Sequence, residues 1–268
     1  MKLDSSTPQA VLRDRLASGA NAAGGWGYYP GKSSRLEPTC WTLLALGEAP
    51  GDAAAPHAAF LTSASQSTGW LVEDASWPIN VAFNALAAFT WSVRSRFVAP
   101  ADLQRLLAVL VTTKGVQAPQ TSTSAQNNSL QGWPWVEATF SWVEPTAWAL
   151  LALKHARRAG TAPPGADARI AEAERLLIDR VCRDGGWNYG NAALMHQDLR
   201  AYVPTTAMAL LALQDRRDDP TVARGLAYIE TRWREEVSAT AMGLALICLD
   251  VHGRSVASLE ARLIAFLP

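Results

Sequence analysis

Four tryptophans, Trp26, Trp70, Trp133 and Trp187, each stand directly after a glycine, and each glycine–tryptophan pair is followed by a Leu/Ala-rich stretch of helical character. "GGWGYYPGKSSRLEPTCWTLLAL" at residues 24–46 returns in altered form as "GGWNYGNAALMHQDLRAYVPTTAMALLAL" at residues 185–213. Five segments share the helix-start pattern: "EPTCWTLLALG" from Glu37, "WPINVAFNALAAF" from Trp77, "EPTAWALLALKHA" from Glu144, "VPTTAMALLALQD" from Val203 and "SATAMGLALICLD" from Ser238. Their markers Pro38, Pro78, Pro145, Pro204 and Ser238 lie, by subtraction, 40, 67, 59 and 34 positions apart. The unit persists while its loops vary, which is how an internal repeat with loop insertions reads.

Each start has a physical reason. Proline is tolerated at the first helical position because its missing N–H would have no partner there. A carboxylate such as Glu37 or Glu144 suits the positive end of a helix. The helices then run apolar on nearly every face, with Leu43, Leu44, Ala45 and Leu46 consecutive, and a helix apolar all round is buried all round. Between them lie amphipathic stretches, "DLQRLLAVLVTT", "ARIAEAERLLIDRV" and "TVARGLAYIETRW". In the second of these, Arg175 and Glu172 fall on the exposed side and Leu176, Leu177 and Ile178 face a core. "VLRDRLASGA" and "SVASLEARLIAFL" read as partial terminal members, and no strand alternation competes. Amphipathic helix, glycine-rich loop and buried helix alternate about five or six times. The expected fold is therefore all-α, a single α/α toroid over residues 1–268 with apolar inner and amphipathic outer helices. An open superhelix is the structural alternative. Polar residues 114–131 read as a long loop inside that domain, because the repeat resumes directly afterwards with "GWPW".

Composition narrows the function classes. The chain has 268 residues, is 49% hydrophobic and carries zero formal net charge, with no Lys/Arg run to follow a phosphate backbone, so nucleic acid is not an expected partner. No apolar stretch approaches the roughly 20 residues that span a bilayer, which leaves peripheral membrane contact as the membrane role. The opening "MKLDSSTPQAVLRDRL" has no apolar stretch of the kind a secretory leader needs. Three widely spaced cysteines, Cys40, Cys182 and Cys248, suit a reducing compartment. Cytoplasmic localisation is the expectation.

The glycine–tryptophan joints followed by Leu/Ala helices resemble the prenyltransferase and squalene-oxidase repeat, shared by squalene-hopene-type terpene cyclases and protein prenyltransferase β subunits. "GGWGYYPG" is similar to the "GGF-G--PG" element of the β subunits, and "DGGW" at Asp184 and "STGW" at Ser67 resemble the cyclase QW repeat. The resemblance implies an apolar cavity for an isoprenoid, with the inner-helix N-termini around its mouth. Isoprenoids or prenyl diphosphates become the expected ligands. A protein partner is the expectation for a noncatalytic toroid. Two departures accompany it. Class II cyclases protonate their substrate with an acid in a D-x-D-D stretch, whereas Tyr202-Val203-Pro204-Thr205 has no acid and Glu236-Val237-Ser238-Ala239 has one. The zinc set of the protein prenyltransferases has no clear counterpart either. Cys248, Asp250 and His252 diverge around a helix, and His196 with Asp198 is too few, so no metal and no cofactor are expected.

Glu37 and Glu144 are the candidate catalytic residues, each preceding Pro-Thr. A carboxyl enclosed in an apolar cavity keeps its proton at neutral pH, because desolvation disfavours the charge. Such a group can protonate an alkene or end a carbocation cascade. The competing role is a helix-start carboxylate that satisfies free backbone N–H groups. Trp41, Phe83, Trp91, Trp148 and Tyr202 are candidates for stabilising a cation through their ring faces. Asn80, Thr206, Met208 and Met242 complete the expected lining, and Arg35 and Arg200 are placed to meet a diphosphate. The leading expectation is an isoprenoid-handling toroid with terpene-cyclase-like chemistry. The alternative is a noncatalytic toroid that binds a lipid or a protein.

Overall fold

The computed structural model describes residues 7–47, 55–122 and 124–266, with the backbone alone at position 97. The leader expectation for the first six residues and one position of the 114–131 loop lie outside them. In order, the helices are α1 (Pro8–Ser18), α2 (Leu36–Leu46), α3 (Ala55–Ser63), α4 (Val81–Val93), α5 (Pro100–Thr112), α6 (Val143–Arg158), α7 (Ala166–Asp179), α8 (Val203–Ala212), α9 (Pro220–Arg232), α10 (Ala239–Val251) and α11 (Ala257–Ile264). A two-stranded hairpin, β1 (Ala193–Leu194) and β2 (Gln197–Asp198), pairs Ala193 with Asp198 and Leu194 with Gln197.

The alternation of helix types follows the sequence. In α8 nine of the ten residues are buried, and α4 buries nine, from Val81 to Trp91. The outer type keeps one stripe: α5 buries Leu103, Leu106, Leu107 and Leu110, and α9 buries Val222, Gly225, Leu226 and Ile229. Both follow the i, i+3, i+4, i+7 spacing of a single helix face. In α7, Arg175 is exposed and Leu176 and Leu177 are buried. Glu172 does not lie free on the surface, because Arg169 holds its carboxylate at 2.6 Å, and Ile178 is only half-buried. The predicted terminal members are α1 and α11. Helix α3 is an element that the repeat pattern does not announce.

Packing groups the chain into two compact units, residues 1–113 with 152–166, and residues 114–151 with 167–268. Helix α6 contributes residues through Leu151 to the second unit and from Ala152 to the first. The most extensive helix pairing in the first unit is α2 on α4, and in the second α8 on α10. Burial on every face holds for α4 and α8 but not for their partners: α2 leaves Ala45 exposed and Leu44 and Leu46 half-buried, and α10 leaves Ile247 and Asp250 exposed, because each has one side without a covering element.

What repeats is a clasp between each joint and the helix that follows. The Trp26 N–H donates to Thr39 Oγ1 at 2.9 Å, and that hydroxyl donates back to the Trp26 carbonyl at 3.3 Å. Thr206 does the same for Trp187 at 2.8 and 3.2 Å, and Thr146 accepts from Trp133 N–H at 3.0 Å. In the second repeat Asn84 takes the role one residue along, accepting from Leu71 N–H at 2.8 Å and donating to its carbonyl at 3.0 Å. Three clasps join residues 13 apart and the fourth residues 19 apart. The difference of six residues equals the length of the 193–198 hairpin, which is why strands occur in an otherwise helical chain.

The clasp also explains two glycines. A Cβ on Gly132 would sit 2.2 Å from Thr146 Oγ1, and one on Gly186 would sit 2.5 Å from Thr206 Oγ1. The hydroxyl occupies the space a side chain would need. The indoles finish the joint: Trp26 Nε1 donates to the Leu16 carbonyl at 2.7 Å and Trp187 Nε1 to Leu177 at 2.6 Å. Each thereby gives a second donor to a last-turn carbonyl that otherwise accepts only a 3.2 Å bond, from Gly19 N–H at Leu16 and from Arg180 N–H at Leu177.

The clasp corrects the proline alignment. Pro38 and Pro145 are the third residues of their helices, Pro204 the second, and Pro78 precedes α4 altogether. Proline is tolerated throughout this first turn, so it marks the region and leaves the register open. The threonine or asparagine of the clasp fixes the register.

Candidate functional site

In the first unit, a charged cluster gathers at the start of α2. Arg35, the residue before the helix, adopts extended backbone and offers no side-chain cap. The cap comes from Glu73, whose Oε1 accepts the Leu36 N–H at 2.7 Å. Arg35 Nε lies 3.0 Å from the same oxygen, at an angle that makes an ion pair without a hydrogen bond. Its guanidinium stacks over the Trp77 ring, 4.3 Å from the centroid. With Glu73 on the backbone, the half-buried Glu37 turns elsewhere and accepts a 2.5 Å hydrogen bond from the Tyr28 hydroxyl. Burial, and next the bond to Glu37, push the Tyr28 phenol above its ordinary range. The hydroxyl therefore stays a donor.

Trp41 is one turn beyond Glu37, so the two share a helix face. Both are half-buried, while Thr39, Cys40, Thr42 and Leu43 point into the core. Glu144 and Trp148 repeat this spacing in α6, with Glu144 half-buried and Trp148 buried.

The remaining expected lining residues fall into different roles. Asn80 is the N-cap of α4, its Oδ1 accepting from the Phe83 N–H at 2.9 Å, and Phe83 is half-buried. Thr206 is committed to the clasp on Trp187. Met208 and Met242 are core residues, 2% and 0% exposed.

In the second unit the starts of α6 and α8 carry rings. Trp142 and Tyr202 immediately precede the two helices. Trp142 stacks on Phe140, with centroids 5.2 Å apart and planes at 26°. Tyr189 approaches Trp142 edge-on at 6.5 Å and lies tilted at 35° to Tyr202, with centroids 5.2 Å apart. Arg200 lies 5.7 Å from the Tyr202 ring centre. Together with Ser141, Asn188, Gly190, Asn191 and Leu199 these residues line a cleft of about 230 Å³.

Tyr202 and Arg200 were expected at a site, whereas Phe140, Trp142 and Tyr189 were not. One signal was present: Tyr28, Trp135 and Tyr189 each stand two residues after a joint tryptophan.

The 114–131 loop lines a larger, polar hollow of about 590 Å³ with Asp179, without aromatic rings or cations among the described residues. It is anchored where Asn127 N–H meets Asp179 Oδ2 at 3.0 Å and where Gln126 reaches Asn191 at 2.8 Å.

The thiols are inert. Burial pushes Cys40 and Cys248 up to about 12 and Cys182 to about 11, so none is a thiolate at neutral pH. Among the described residues no group of three His, Cys, Asp or Glu side chains could hold a metal ion. His196 sits in the hairpin turn, Asp198 pairs with Arg183 at 2.8 Å, and His252 Nε2 lies 3.2 Å from the Leu210 carbonyl.

No family model and no curated protein matches the sequence. Among solved structures the chain is similar to the type II terpene cyclase MstE from Scytonema. Against a variant of that enzyme bound to its substrate, geranylgeranyl dihydroxybenzoate, the TM-score is 0.52 at 18% identity, over 88% of this chain and 66% of that one. Against a second variant, bound to the product merosterolic acid A, it is 0.53 at 17% identity, over 88% and 68%. The chain thus spans about two thirds of the cyclase's length. This likeness shows the fold: all-α, of the α/α-toroid class to which the terpene cyclases and prenyltransferases belong. No described helix is long and apolar enough to cross a membrane.

Proposed function

We propose that this protein handles isoprenoid substrates by carbocation chemistry of the terpene-cyclase kind, with Glu37 as the proton-transfer group. One observation carries the reading. The carboxylate of Glu37 is released from helix capping by Glu73 and is oriented by the Tyr28 hydroxyl at 2.5 Å. A side chain needed only to close a helix end has no use for this arrangement. The shared fold with type II terpene cyclases supplies the chemical context, and the substrate named for MstE is itself an isoprenoid.

The reaction class is an isomerisation. A proton adds to a terminal alkene, rings close through successive cations, and a base removes a proton from carbon to restore an alkene. With one oxygen receiving Tyr28, Glu37 has its other oxygen available as that base. Trp41, on the same helix face, would offer its ring to cationic charge, an attraction of about 0.5–2 kcal/mol. Glu144 holds the corresponding position in α6 of the second unit and is the alternative proton-transfer group. Arg35 and Trp77 form the polar rim beside Glu37, where Arg35 would meet any diphosphate. The proposal places the protein in the cytoplasm, with substrate delivered from a membrane surface.

The test is incubation with geranylgeranyl diphosphate, squalene and polyprenylated arenes, followed by mass-spectrometric product analysis. Cyclised product from the wild type is expected. Glu37→Gln should abolish turnover or leave water-quenched products, and the same loss in Glu144→Gln instead would move the role to the second unit. Unchanged products from both variants overturn the carboxylate assignment. Retention of an isoprenoid in native mass spectra without turnover overturns catalysis in favour of a noncatalytic binding toroid.

A further inference from the structure

The aromatic cleft of the second unit has no part in that proton transfer, and its construction selects a ligand. Four rings wall it, from Phe140, Trp142, Tyr189 and Tyr202, and Phe140 and Tyr189 are more than half exposed. Exposed aromatic rings on this scale mark a place where something covers them. The polar side chains in the floor are already satisfied. Asn188 Oδ1 accepts from the Gly190 and Asn191 N–H groups at 3.0 and 3.1 Å, and its amide donates to the Asn191 carbonyl at 2.7 Å. Ser141 Oγ accepts from the Gly132 N–H at 2.8 Å.

Charge is the discriminating feature. Four rings around a small space commonly form a cage for a cation. Here the cage already has its own cation in Arg200, and no carboxylate lines the cleft. Arg200 makes no ion pair among the described residues, and its guanidinium rests toward the Tyr202 face. A cationic ligand is therefore repelled, and an anion gains a guanidinium whose fork matches a carboxylate. Size and shape narrow the rest. A cavity of about 150 Å³ accepts benzene, so about 230 Å³ suits one ring or two fused rings. The offset and edge-on ring arrangement favours a flat π system over a bulky aliphatic one.

We propose that this cleft binds a planar aromatic carboxylate, its ring or fused rings against Trp142, Tyr189 and Tyr202 and its carboxylate on Arg200. The site is independent of the Glu37 chemistry, and the two stand or fall separately.

The probe is 2-naphthoate, titrated into the purified chain by calorimetry, with the bound face mapped by saturation-transfer NMR. Saturable one-to-one binding is expected. Arg200→Met, which keeps most of the stem, should weaken it at least tenfold, as should Tyr189→Ser. 2-Naphthylmethanol, which lacks the charge, should bind at least tenfold more weakly than the acid. Glu37→Gln should bind the probe like the wild type, which separates this site from the proposed reaction. Arg200 and Tyr189 are exposed, and unchanged far-UV spectra and melting temperatures would show that both variants fold. Absence of naphthoate binding to the wild type overturns the proposal. So does tetramethylammonium binding in its place, or naphthoate affinity indifferent to Arg200→Met. Geranyl diphosphate bound through Arg200 while naphthoate is refused would overturn it in favour of a prenyl anion.

Discussion

At the start of α2 the chain assembles Tyr28, Arg35 and Glu37, with Glu73 and Trp77 closing around them. At the start of α8 the positions in register hold Tyr189, Tyr202 and Pro204, and the neighbourhood is aromatic with a single arginine. Both starts stand on the same device, a joint tryptophan whose N–H and carbonyl are held by a threonine hydroxyl. The backbone requirement is met inside the core by Thr39 and Thr206. The residues just before each helix and two after each tryptophan are thereby left free to differ. One start carries a hydrogen-bonded cluster of charged side chains and the other an aromatic cleft.

That comparison is best broken at the clasp. Gly132→Ala should be the most damaging of the changes at the clasp, because the three atoms nearest its new Cβ, starting at 2.2 Å, all belong to Thr146. Overpacking of this kind costs about 2–3 kcal/mol, or roughly 4–12 °C in Tm. Thr146→Ala in the same molecule should recover part of the loss, since the nearest remaining atom would be Cβ at 3.2 Å. A fully additive pair in the melting data would mean that the hydroxyl does not fill that space.

Thr39→Val and Thr206→Val should each cost about 1–3 kcal/mol by leaving a buried tryptophan N–H unpaired. The two losses should agree, whatever the chemistry above them. A large inequality in denaturant midpoints would show that the joints are not one device.

A smaller effect should separate the units. The Gly25 N–H donates to His57 Nδ1 at 3.1 Å, and burial holds the His57 pKa below its ordinary value. The imidazole is a neutral acceptor in the folded state, and the unfolded chain binds the proton more readily. Stability is thus fully present above about pH 6.5 and is lost as pH falls from there toward the folded pKa. The Tm of the wild type should drop over that window by more than that of His57→Gln; identical profiles would exclude the link.

Gly243→Ala should act in the opposite sense. This glycine lies within α10 with nothing inside 4 Å of an added Cβ, so alanine should stabilise by about 0.4–1 kcal/mol. A loss of stability there would mean that α10 packs more tightly than its surroundings indicate.

Much of this architecture is legible in the sequence. The continuous apolar runs of α4 and α8 and the single stripe of Leu103, Leu106, Leu107 and Leu110 separate inner from outer helices by pattern, whereas the run from Leu43 to Leu46 overstates the burial of α2, where Ala45 is exposed. Glycine before tryptophan located every joint. The register was harder, because proline tolerates several first-turn positions and the residue that fixes register is a buried threonine of ordinary appearance. The site was least legible. Glu73 caps a helix that begins 37 residues before it, and Phe140, Trp142, Tyr189 and Tyr202 come together from separate segments. No local pattern carries such distant pairings.

The spacing of the clasps has a further consequence. Lengthening the enclosed segment from 13 to 19 residues adds only about 0.3 kcal/mol of closure entropy, because that term grows with the logarithm of length. With the ends locked in the core, the intervening chain is a socket open to new inserts. Recognition surfaces can be exchanged at this joint by grafting, and the 193–198 hairpin marks where such a graft already fits.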